Sequence, residues 1–440
     1  MKNLAQSNSS YPITSRREFL KTSTAVAVSG ALTGPFLFTA KSQAANAGPT
    51  LKIGLIGCGG RGSGAALPAL SADSNVVLTA MGDAFDDQLQ GSLKGLRGDK
   101  KVSDRIQVAP DHCFVGLDAY KKVIDSGVDV VLLTSPPGFR PTHLKAAVTA
   151  GKHIFCEKPM GTDPAGVRSV LESAAMAKQK NLALVAGFCW RYDFPRREFY
   201  KRIHDGAIGE IRAVHASYLT GPVKPMPPAS QRPAGLSDIE WQVRNWYNFV
   251  WLSGDGLVEQ ACHSIDKIAW AMNGILPVKA VATGGRQIPN EQGNIFDHID
   301  VFYEFPNNVR ALMAQRQIAS CYSEVCDYVM GANGTGSIKR APVIEGKDRW
   351  TYAGPQKDMY QVEHDELFAS IRNGKPINDG TWMAHSTLMA IMGRMAAYTG
   401  KEVTWEQALN SKLKLVPDAP DWNTPLPIAP MAVPGKTELI

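Results

Sequence analysis

Residues 51–62 read LKIGLIGCGGRG, an apolar run followed at once by glycines with the spacing Gly-x-Gly-x-x-Gly. Such a run is typical of a buried strand. The first glycine, Gly57, permits a tight turn, Gly59 leaves room for a phosphate beside the backbone, and Gly62 lets a helix pack closely. The stretch therefore predicts a strand, a phosphate-binding loop and a helix, although an ordinary glycine turn would have the same residues.

Short apolar runs and helical patterns alternate as far as residue 188. Further strands are predicted at Val76–Met81, Asp129–Leu133, His153–Cys156 and Leu182–Phe188. Helices are predicted at Thr142–Ala150 and Pro164–Gln179, the second with Asp163 as its N-cap. Pro68 is expected to kink the helix after the glycine loop. This alternation predicts an α/β Rossmann domain, a doubly wound parallel sheet, over residues 48–188.

The pattern changes after Phe188 to helices mixed with hairpin strands. Helices are predicted at Arg196–Asp205, Gly256–Met272, Val362–Arg372 and Trp382–Tyr398, and strands at Ile211–Leu219, Val278–Thr283, Asp297–Phe305, Val309–Gln317, Tyr328–Gly331 and Ser337–Ile338. We expect residues 189–416 to form an α+β domain with one helix layer on a largely antiparallel open sheet. A Pro-rich tail, residues 417–440, is expected to wrap the surface.

The first 47 residues have the order of an export signal. Arg16-Arg17 precedes Phe19-Leu20-Lys21, an apolar stretch and the small-residue site Ala45-Asn46-Ala47. This order is typical of a twin-arginine signal, which would send the folded chain through the twin-arginine machinery to the periplasm or outside the cell. A retained membrane anchor is the alternative.

Composition restricts the remaining classes of function. Residues 1–47 hold five Lys or Arg and one acid, so removing them lowers the formal net charge from +6 to +2, which gives no indication of nucleic-acid binding. The seven Cys are irregularly spaced. Because the exported chain would fold in a reducing compartment, we expect buried thiols at Cys58, Cys156, Cys189 and Cys262, with a Cys321–Cys326 disulfide left open.

Asp83 indicates which nucleotide the glycine loop holds. It lies 21 residues after Gly62, at the end of the second predicted strand. A carboxylate there accepts hydrogen bonds from the adenosine ribose and repels a 2′-phosphate. We therefore expect NAD, bound along Gly57, Cys58, Gly59, Gly60, Arg61, Gly62 and Asp83. Arg61 could pair with a phosphate and keeps NADP open.

Two motifs carry candidate catalytic groups. Glu157-Lys158-Pro159 follows a predicted strand, at the end where such sheets bind ligands, and an ammonium there can stabilise a developing alkoxide. Glu259, His263 and Asp266 would share one face of a helix, where flanking acids would raise the pKa of the histidine and orient it as a proton acceptor. A structural histidine or a metal site are the alternatives for this helix, and we expect no metal.

Together with the glycine loop, AGKHIFCEKP at 150–159 and GDGLVEQACHSIDKIAWAMNG at 254–274 resemble the Gfo/Idh/MocA oxidoreductase family over nearly the whole mature chain. The resemblance implies that Lys158 contacts the reacting hydroxyl and that Glu259 and His263 form an acid–histidine pair, with Glu in place of the more usual Asp. It further implies a homodimer or homotetramer, and cofactor contacts at Ser135, Pro136, His143, Glu157 and Lys158.

Aromatic and polar residues near these motifs suit a sugar. Substrate contacts are expected from Arg191, Tyr192, Arg244, Trp246 and Asp266. Trp241 and Trp246 could equally be core residues. The leading hypothesis is an exported dehydrogenase for a sugar, glycoside or cyclitol hydroxyl with tightly held NAD(H). An NAD-dependent glycoside hydrolase is less favoured, because that branch carries a Tyr-Pro-Thr-His-type segment in place of Glu259-Gln260-Ala261-Cys262. A non-catalytic sugar-binding protein is the third alternative.

Overall fold

A six-stranded parallel sheet forms the first half of the chain. In this computed structural model, which describes residues 48–440, its strands lie in the order β3-β2-β1-β4-β5-β6, the order of a Rossmann domain. The predicted export signal lies outside the described residues. The strands are β1 Leu51–Ile56, β2 Val76–Asp83, β3 Cys113–Val115, β4 Val130–Leu133, β5 His153–Cys156 and β6 Leu184–Ala186. The short β3 was missed because three residues give no apolar run.

The helices that cover this sheet follow the predicted pattern. They are α1 Gly60–Ala72, α2 Asp86–Gly98, α3 Ala119–Asp125, α4 Arg140–Thr149 and α5 Pro164–Gln179. Asp163 caps α5 as predicted, since its side chain accepts a hydrogen bond from Gly166 N at 2.7 Å. Pro68 lies inside α1 without interrupting it, and its carbonyl accepts a hydrogen bond from Gln361.

A nine-stranded sheet forms the second half, antiparallel except where β7 and β10 run parallel. Its strands are β7 Ile211–Thr220, β8 Lys279–Gly285, β9 His298–Glu304, β10 Arg310–Gln317, β11 Glu324–Gly331, β12 Thr335–Ile338, β13 Pro342–Glu345, β14 Trp350–Thr351 and β15 Val403–Thr404. The remaining helices are α6 Phe194–His204, α7 Asp238–Arg244, α8 Val250–Ser253, α9 Gly256–Glu259, α10 Cys262–Ala271, α11 Met359–Arg372, α12 Gly380–Thr399 and α13 Trp405–Asn410.

Helices α10 and α12 pack on one face of the second sheet, and α12 is apolar nearly all round because it lies between that sheet and α5. Helix α11, placed by the sequence in the second domain, packs instead against α1 of the first. Its Val362, Leu367 and Phe368 share a core with the first sheet. The C-terminal segment therefore ties the two halves together.

The predicted long helix Gly256–Met272 is divided in two. Helix α9 ends at Glu259 and α10 begins at Cys262. The amide of His263 donates to the carbonyl of Gln260, so the carbonyl of Glu259 is left free of the helix ladder. Glu259 and His263, which the sequence placed on one face of a single helix, therefore belong to two separate helices.

The tail has no helix or strand, and Trp422, Leu426 and Ile428 pack on a cluster that combines Phe85 of the first half with residues of the second. The described cysteines are all free thiols, including Cys321 and Cys326, and the four predicted to be buried are buried. None of the helices in residues 48–440 combines the length and apolar character needed to cross a bilayer.

Candidate active site

A cavity of about 680 Å³ lies at the carboxyl ends of the first sheet, where segments of the second half cover it. This is where open parallel sheets bind their ligands. The predicted residues that line it are Gly57, Gly59, Gly60, Arg61, Gly62, Asp83, Ser135, Pro136, His143, Glu157, Lys158, Arg244, Trp246, Glu259 and His263. Cys58 faces an adjoining hollow. The structure thus brings most of the predicted site together.

The glycine loop has the shape that a diphosphate requires. Gly57 has φ 96°, and a Cβ there would lie 2.5 Å from Ser135 N. A Cβ on Gly62 would lie 1.9 Å from the Gly57 carbonyl, so α1 packs directly on the loop. Gly59 and Gly60 have nothing within 4 Å of such an atom. The open cradle beside Gly59 and Gly60 fits the diphosphate of a dinucleotide, in agreement with the prediction.

Asp83 at the end of β2 is bound to the same loop. Its Oδ2 accepts from Cys58 N at 2.6 Å and its Oδ1 from Phe85 N at 2.9 Å. Burial raises the pKa of this carboxyl, and its two backbone hydrogen bonds oppose that shift. Each carboxylate oxygen keeps acceptor capacity toward the cavity, as ribose hydroxyls would need.

Arg61 does not point into the cavity as a free cation. It pairs with Glu157 through Nε and with Glu363 at 3.4 Å, and its guanidinium lies 4.8 Å from the ring centroid of Tyr360. Burial and the charge of Glu157 raise the pKa of Glu363 well above its usual value. Glu363 and Tyr360 come from α11, far along the chain, and no sequence pattern indicates this contact.

Ser135 and His143 form a buried pair beside the loop. Ser135 Oγ lies 2.9 Å from His143 Nδ1, and the His143 ring stacks on Tyr120 at 4.1 Å between centroids. Burial, with Arg140 nearby, lowers the pKa of His143 to about 3, so this imidazole is neutral. A neutral, stacked ring forms an uncharged wall of the cavity.

Lys158 and Glu259 form an ion pair with side chains only 11% and 8% exposed. Lys158 Nζ donates to Glu259 Oε1 at 2.9 Å and to the freed carbonyl of Glu259 at 2.5 Å. Burial by itself would lower the pKa of Lys158, but the charges of Glu259 and Glu157 outweigh it and raise that pKa. Two of the three ammonium protons are therefore engaged, and the third is free to reach a ligand.

His263 differs from the prediction in the direction of its pKa shift and in its hydrogen-bond partners. No hydrogen bond joins it to Glu259, and within the described residues its Nδ1 is buried without a partner. Burial lowers its pKa well below the usual value, and the charges of Lys158 and Lys267 lower it further. The predicted increase was wrong because the flanking acids are neutralised elsewhere. A neutral imidazole can nevertheless accept a proton.

Three predicted substrate contacts lie behind the cavity. Arg191 binds both carboxylate oxygens of Asp266, at 2.8 and 2.9 Å, between the rings of Trp270 and Trp382. Tyr192 donates to Asp379 Oδ2 at 2.6 Å and is buried. Arg191 and Asp266 are engaged with each other and Tyr192 with Asp379, and none of the three lines the cavity where the substrate contact was predicted.

Arg244 and Trp246 lie at the cavity, whereas Trp241 lies in the core. Arg244 lies 3.9 Å from the centroid of Phe85 and contacts Asp87 at 3.3 Å, so it covers the cavity beside Asp83. Trp246 lines the cavity, whereas Trp241 is a buried core residue. Cavity residues that the sequence missed include Tyr120, Trp190, Tyr218, Lys224, Tyr247, Gln260 and Tyr360. They come from separate helices, one strand and the connecting segments, and only the fold brings them together.

Two family profiles match the chain. Residues 51–188 match the Gfo/Idh/MocA oxidoreductase family, NAD-binding Rossmann fold, and residues 197–336 match the Gfo/Idh/MocA C-terminal domain. Together the two profiles cover more than half of the chain.

Individual relatives are more distant. An inositol 2-dehydrogenase of Rhizobium meliloti is 24% identical over 73% of this chain and 86% of that protein. An inositol 2-dehydrogenase of Acidiphilium cryptum is 32% identical over 38% of this chain and 46% of its own length. A dTDP-3,4-didehydro-2,6-dideoxy-alpha-D-glucose 3-reductase of Actinomadura kijaniata is 29% identical over 41% and 48%. In the last two comparisons the chain spans only about half of the relative.

Solved structures share the fold at lower identity. An aldose-aldose oxidoreductase from Caulobacter crescentus superposes with a TM-score of 0.62 at 19% identity, over 81% of this chain and 99% of that one. A levoglucosan dehydrogenase in complex with NADH and levoglucosan gives 0.63 at 18% identity, over 80% and 99%. From the two profiles and the intact dinucleotide loop, the chain belongs to the Gfo/Idh/MocA family of NAD(P)-dependent oxidoreductases.

Proposed function

We propose that this protein is a dehydrogenase that transfers hydride between a hydroxyl of a sugar, glycoside or cyclitol and NAD(H). The observation that carries the proposal is the position of Lys158, whose unengaged ammonium proton faces a cavity that the glycine loop also lines. NAD rather than NADP is favoured by Asp83 and by Arg61, because Arg61 is already paired with Glu157 and in contact with Glu363.

When bound, the nicotinamide supplies the hydride acceptor for oxidation of an alcohol. The reacting carbon loses hydride, its hydroxyl loses a proton, and a carbonyl forms. The free N–H of Lys158 donates to the substrate oxygen and stabilises the negative charge that develops on it. Neutral His263 accepts the hydroxyl proton, and Glu259 keeps Lys158 charged and in place.

The carbohydrate class is supported by the lining of the cavity and by the relatives. Trp190, Tyr218, Trp246 and Tyr247 present aromatic surface next to the polar catalytic groups, which suits the apolar faces and hydroxyl rim of a sugar ring. The relatives are named for inositol, a dideoxyglucose nucleotide, aldoses and levoglucosan.

Export and assembly are further parts of the proposal. Residues 1–47 carry the twin-arginine pattern, and a chain that folds before export can take its cofactor with it. Outside the cytoplasm the enzyme would regenerate the cofactor by reducing a second sugar or an external acceptor. Val281 and Phe302, 44% and 49% exposed on the open face of the second sheet, support a homodimer or homotetramer through that face.

The test is the absorption spectrum of protein purified from the export compartment, before and after addition of sugars, glycosides and cyclitols. A bound-nicotinamide band that changes with one class of carbohydrate is expected. A protein without nucleotide, or with a band that no carbohydrate changes, would contradict the proposal. Release of nitrophenol from an aryl glycoside without added NAD would favour the hydrolase.

A further inference from the structure

Four side chains form a continuous hydrogen-bonded series along the cavity. Tyr218 Oη donates to Gln260 Oε1 at 2.7 Å, and Gln260 Nε2 donates to Glu259 Oε2 at 2.5 Å. The other carboxylate oxygen of Glu259 accepts from Lys158. All four residues line the cavity. The series therefore extends the catalytic lysine along the wall toward Tyr218 of β7.

The ion pair fixes the direction of every bond in this series. The Glu259 carboxylate can only accept, so Gln260 must turn its NH₂ toward Glu259 and its carbonyl oxygen toward Tyr218. That carbonyl oxygen can also only accept, so the single hydroxyl proton of Tyr218 is engaged there. Tyr218 is left with acceptor lone pairs only, and Gln260 is left with one spare N–H.

We propose that Tyr218 and Gln260 bind a second hydroxyl of the substrate, distinct from the one that is oxidised. That hydroxyl donates to Tyr218 Oη and accepts from the spare N–H of Gln260, which a hydroxyl can do and a methyl ether or a C–H cannot. The inference rests on the proposed dehydrogenase function. It predicts that the substrate is a polyol in which one non-reacting hydroxyl is required.

The setting of Tyr218 supports a binding role. Burial raises the pKa of this phenol to about 12, so it stays protonated and keeps its bond to Gln260 at neutral pH. Its ring is only partly buried, which leaves the hydroxyl accessible from the cavity. Tyr247, another tyrosine of the cavity wall, differs because its hydroxyl is paired with buried Gln317 at 2.7 Å. Tyr247 therefore provides a matched control.

The experiment measures kcat/KM for D-glucose, myo-inositol and levoglucosan, and for their monodeoxy and mono-O-methyl derivatives, with the NAD-loaded enzyme. In the wild type, removing one hydroxyl other than the oxidised one should lower kcat/KM by at least about tenfold, because Tyr218 and Gln260 are then left unpaired. In Tyr218→Phe the kcat/KM values for the unmodified sugar and for that deoxy derivative should lie within about twofold of each other. Tyr247→Phe should keep the wild-type ratio of kcat/KM between the unmodified sugar and the deoxy derivative.

Two results would overturn the inference and leave the proposed dehydrogenase function standing. In the first, Tyr218→Phe has the same ratio of kcat/KM between unmodified sugar and deoxy derivative as the wild type. In the second, the wild type reacts equally well with every deoxy derivative. Gln260→Met provides an independent variant, and it should also lose the discrimination while still binding NADH with unchanged fluorescence. Absence of turnover with every carbohydrate would overturn the proposed function and this inference with it.

Discussion

Lys158 Nζ lies 2.9 Å from Glu259 Oε1 although the two residues are 101 positions apart in the chain. The same ammonium also donates a hydrogen bond to the main-chain carbonyl of Glu259, which the break between α9 and α10 leaves without a backbone partner. One lysine of the first domain is thus held in place by both the backbone and the side chain of one glutamate in the second. The proposed chemistry depends on this contact.

Removing the ammonium should affect both turnover and stability. Lys158→Met should lower kcat by about 10²–10³-fold, because the developing alkoxide loses its donor. It should also lower the free energy of unfolding by about 3 kcal/mol, since Glu259 is left buried and unpaired. Lys158→Met combined with Glu259→Leu should recover most of the stability and none of the turnover, in urea unfolding and kinetic assays. Equal stability losses in the single and double variants would contradict the ion-pair account.

Substitutions at two glycines of the loop should have different effects, one on cofactor binding and the other on the stability of the fold. Gly59→Ala adds a methyl group where nothing lies within 4 Å, so the protein should fold normally but bind NADH at least about tenfold more weakly. Gly62→Ala places its methyl 1.9 Å from the Gly57 carbonyl and should lower the melting temperature by several degrees. Calorimetry and NADH fluorescence titration measure the two effects. Unchanged NADH affinity in Gly59→Ala would place the diphosphate elsewhere.

The charge of Asp83 should determine which cofactor binds. Asp83→Asn removes the negative charge and keeps an acceptor oxygen for only one of the two backbone amides that Asp83 binds, so one of these hydrogen bonds is lost with the charge. We expect NADH to bind about tenfold more weakly and NADPH more tightly, because a 2′-phosphate is no longer repelled. Titration of both cofactors against wild type and variant measures the ratio. A wild type that already prefers NADPH would contradict this assignment of Asp83.

Acid should destabilise the protein through buried His364. Both ring nitrogens lack partners among the described residues, and burial lowers its pKa to about 3. Below an unfolded pKa of about 6.5 the unfolded chain takes up a proton that the folded chain does not, so stability falls as pH falls. Between pH 6.5 and 5 this costs about 2 kcal/mol. His364→Leu should remove that part of the pH dependence in urea unfolding, and an unchanged pH dependence in this variant would contradict the assignment to His364.

The sequence predicted the first domain well, because buried parallel strands and a glycine loop are local patterns. Strand His153–Cys156 and helix Pro164–Gln179 were predicted with their final bounds. The break after Glu259 was not predictable, since the ammonium that binds the carbonyl at the break belongs to Lys158, 101 positions away in the chain. Arg191 and Asp266 have the residue types of a sugar site, and only the fold shows that they bind each other. Tyr218 reads as an ordinary strand residue until Gln260 is placed beside it.

The central claim is that Lys158 assists hydride transfer from a carbohydrate hydroxyl to NAD within this cavity. The most direct measurement is a single turnover of the NAD-loaded enzyme with a sugar deuterated at the reacting carbon, followed by mass analysis of the released nicotinamide. For the wild type we expect deuterium in the reduced cofactor, and in Lys158→Met the reduced cofactor should form about 10²–10³-fold more slowly. Reduction at an equal rate in Lys158→Met, or product formed without deuterium in the cofactor, would contradict it.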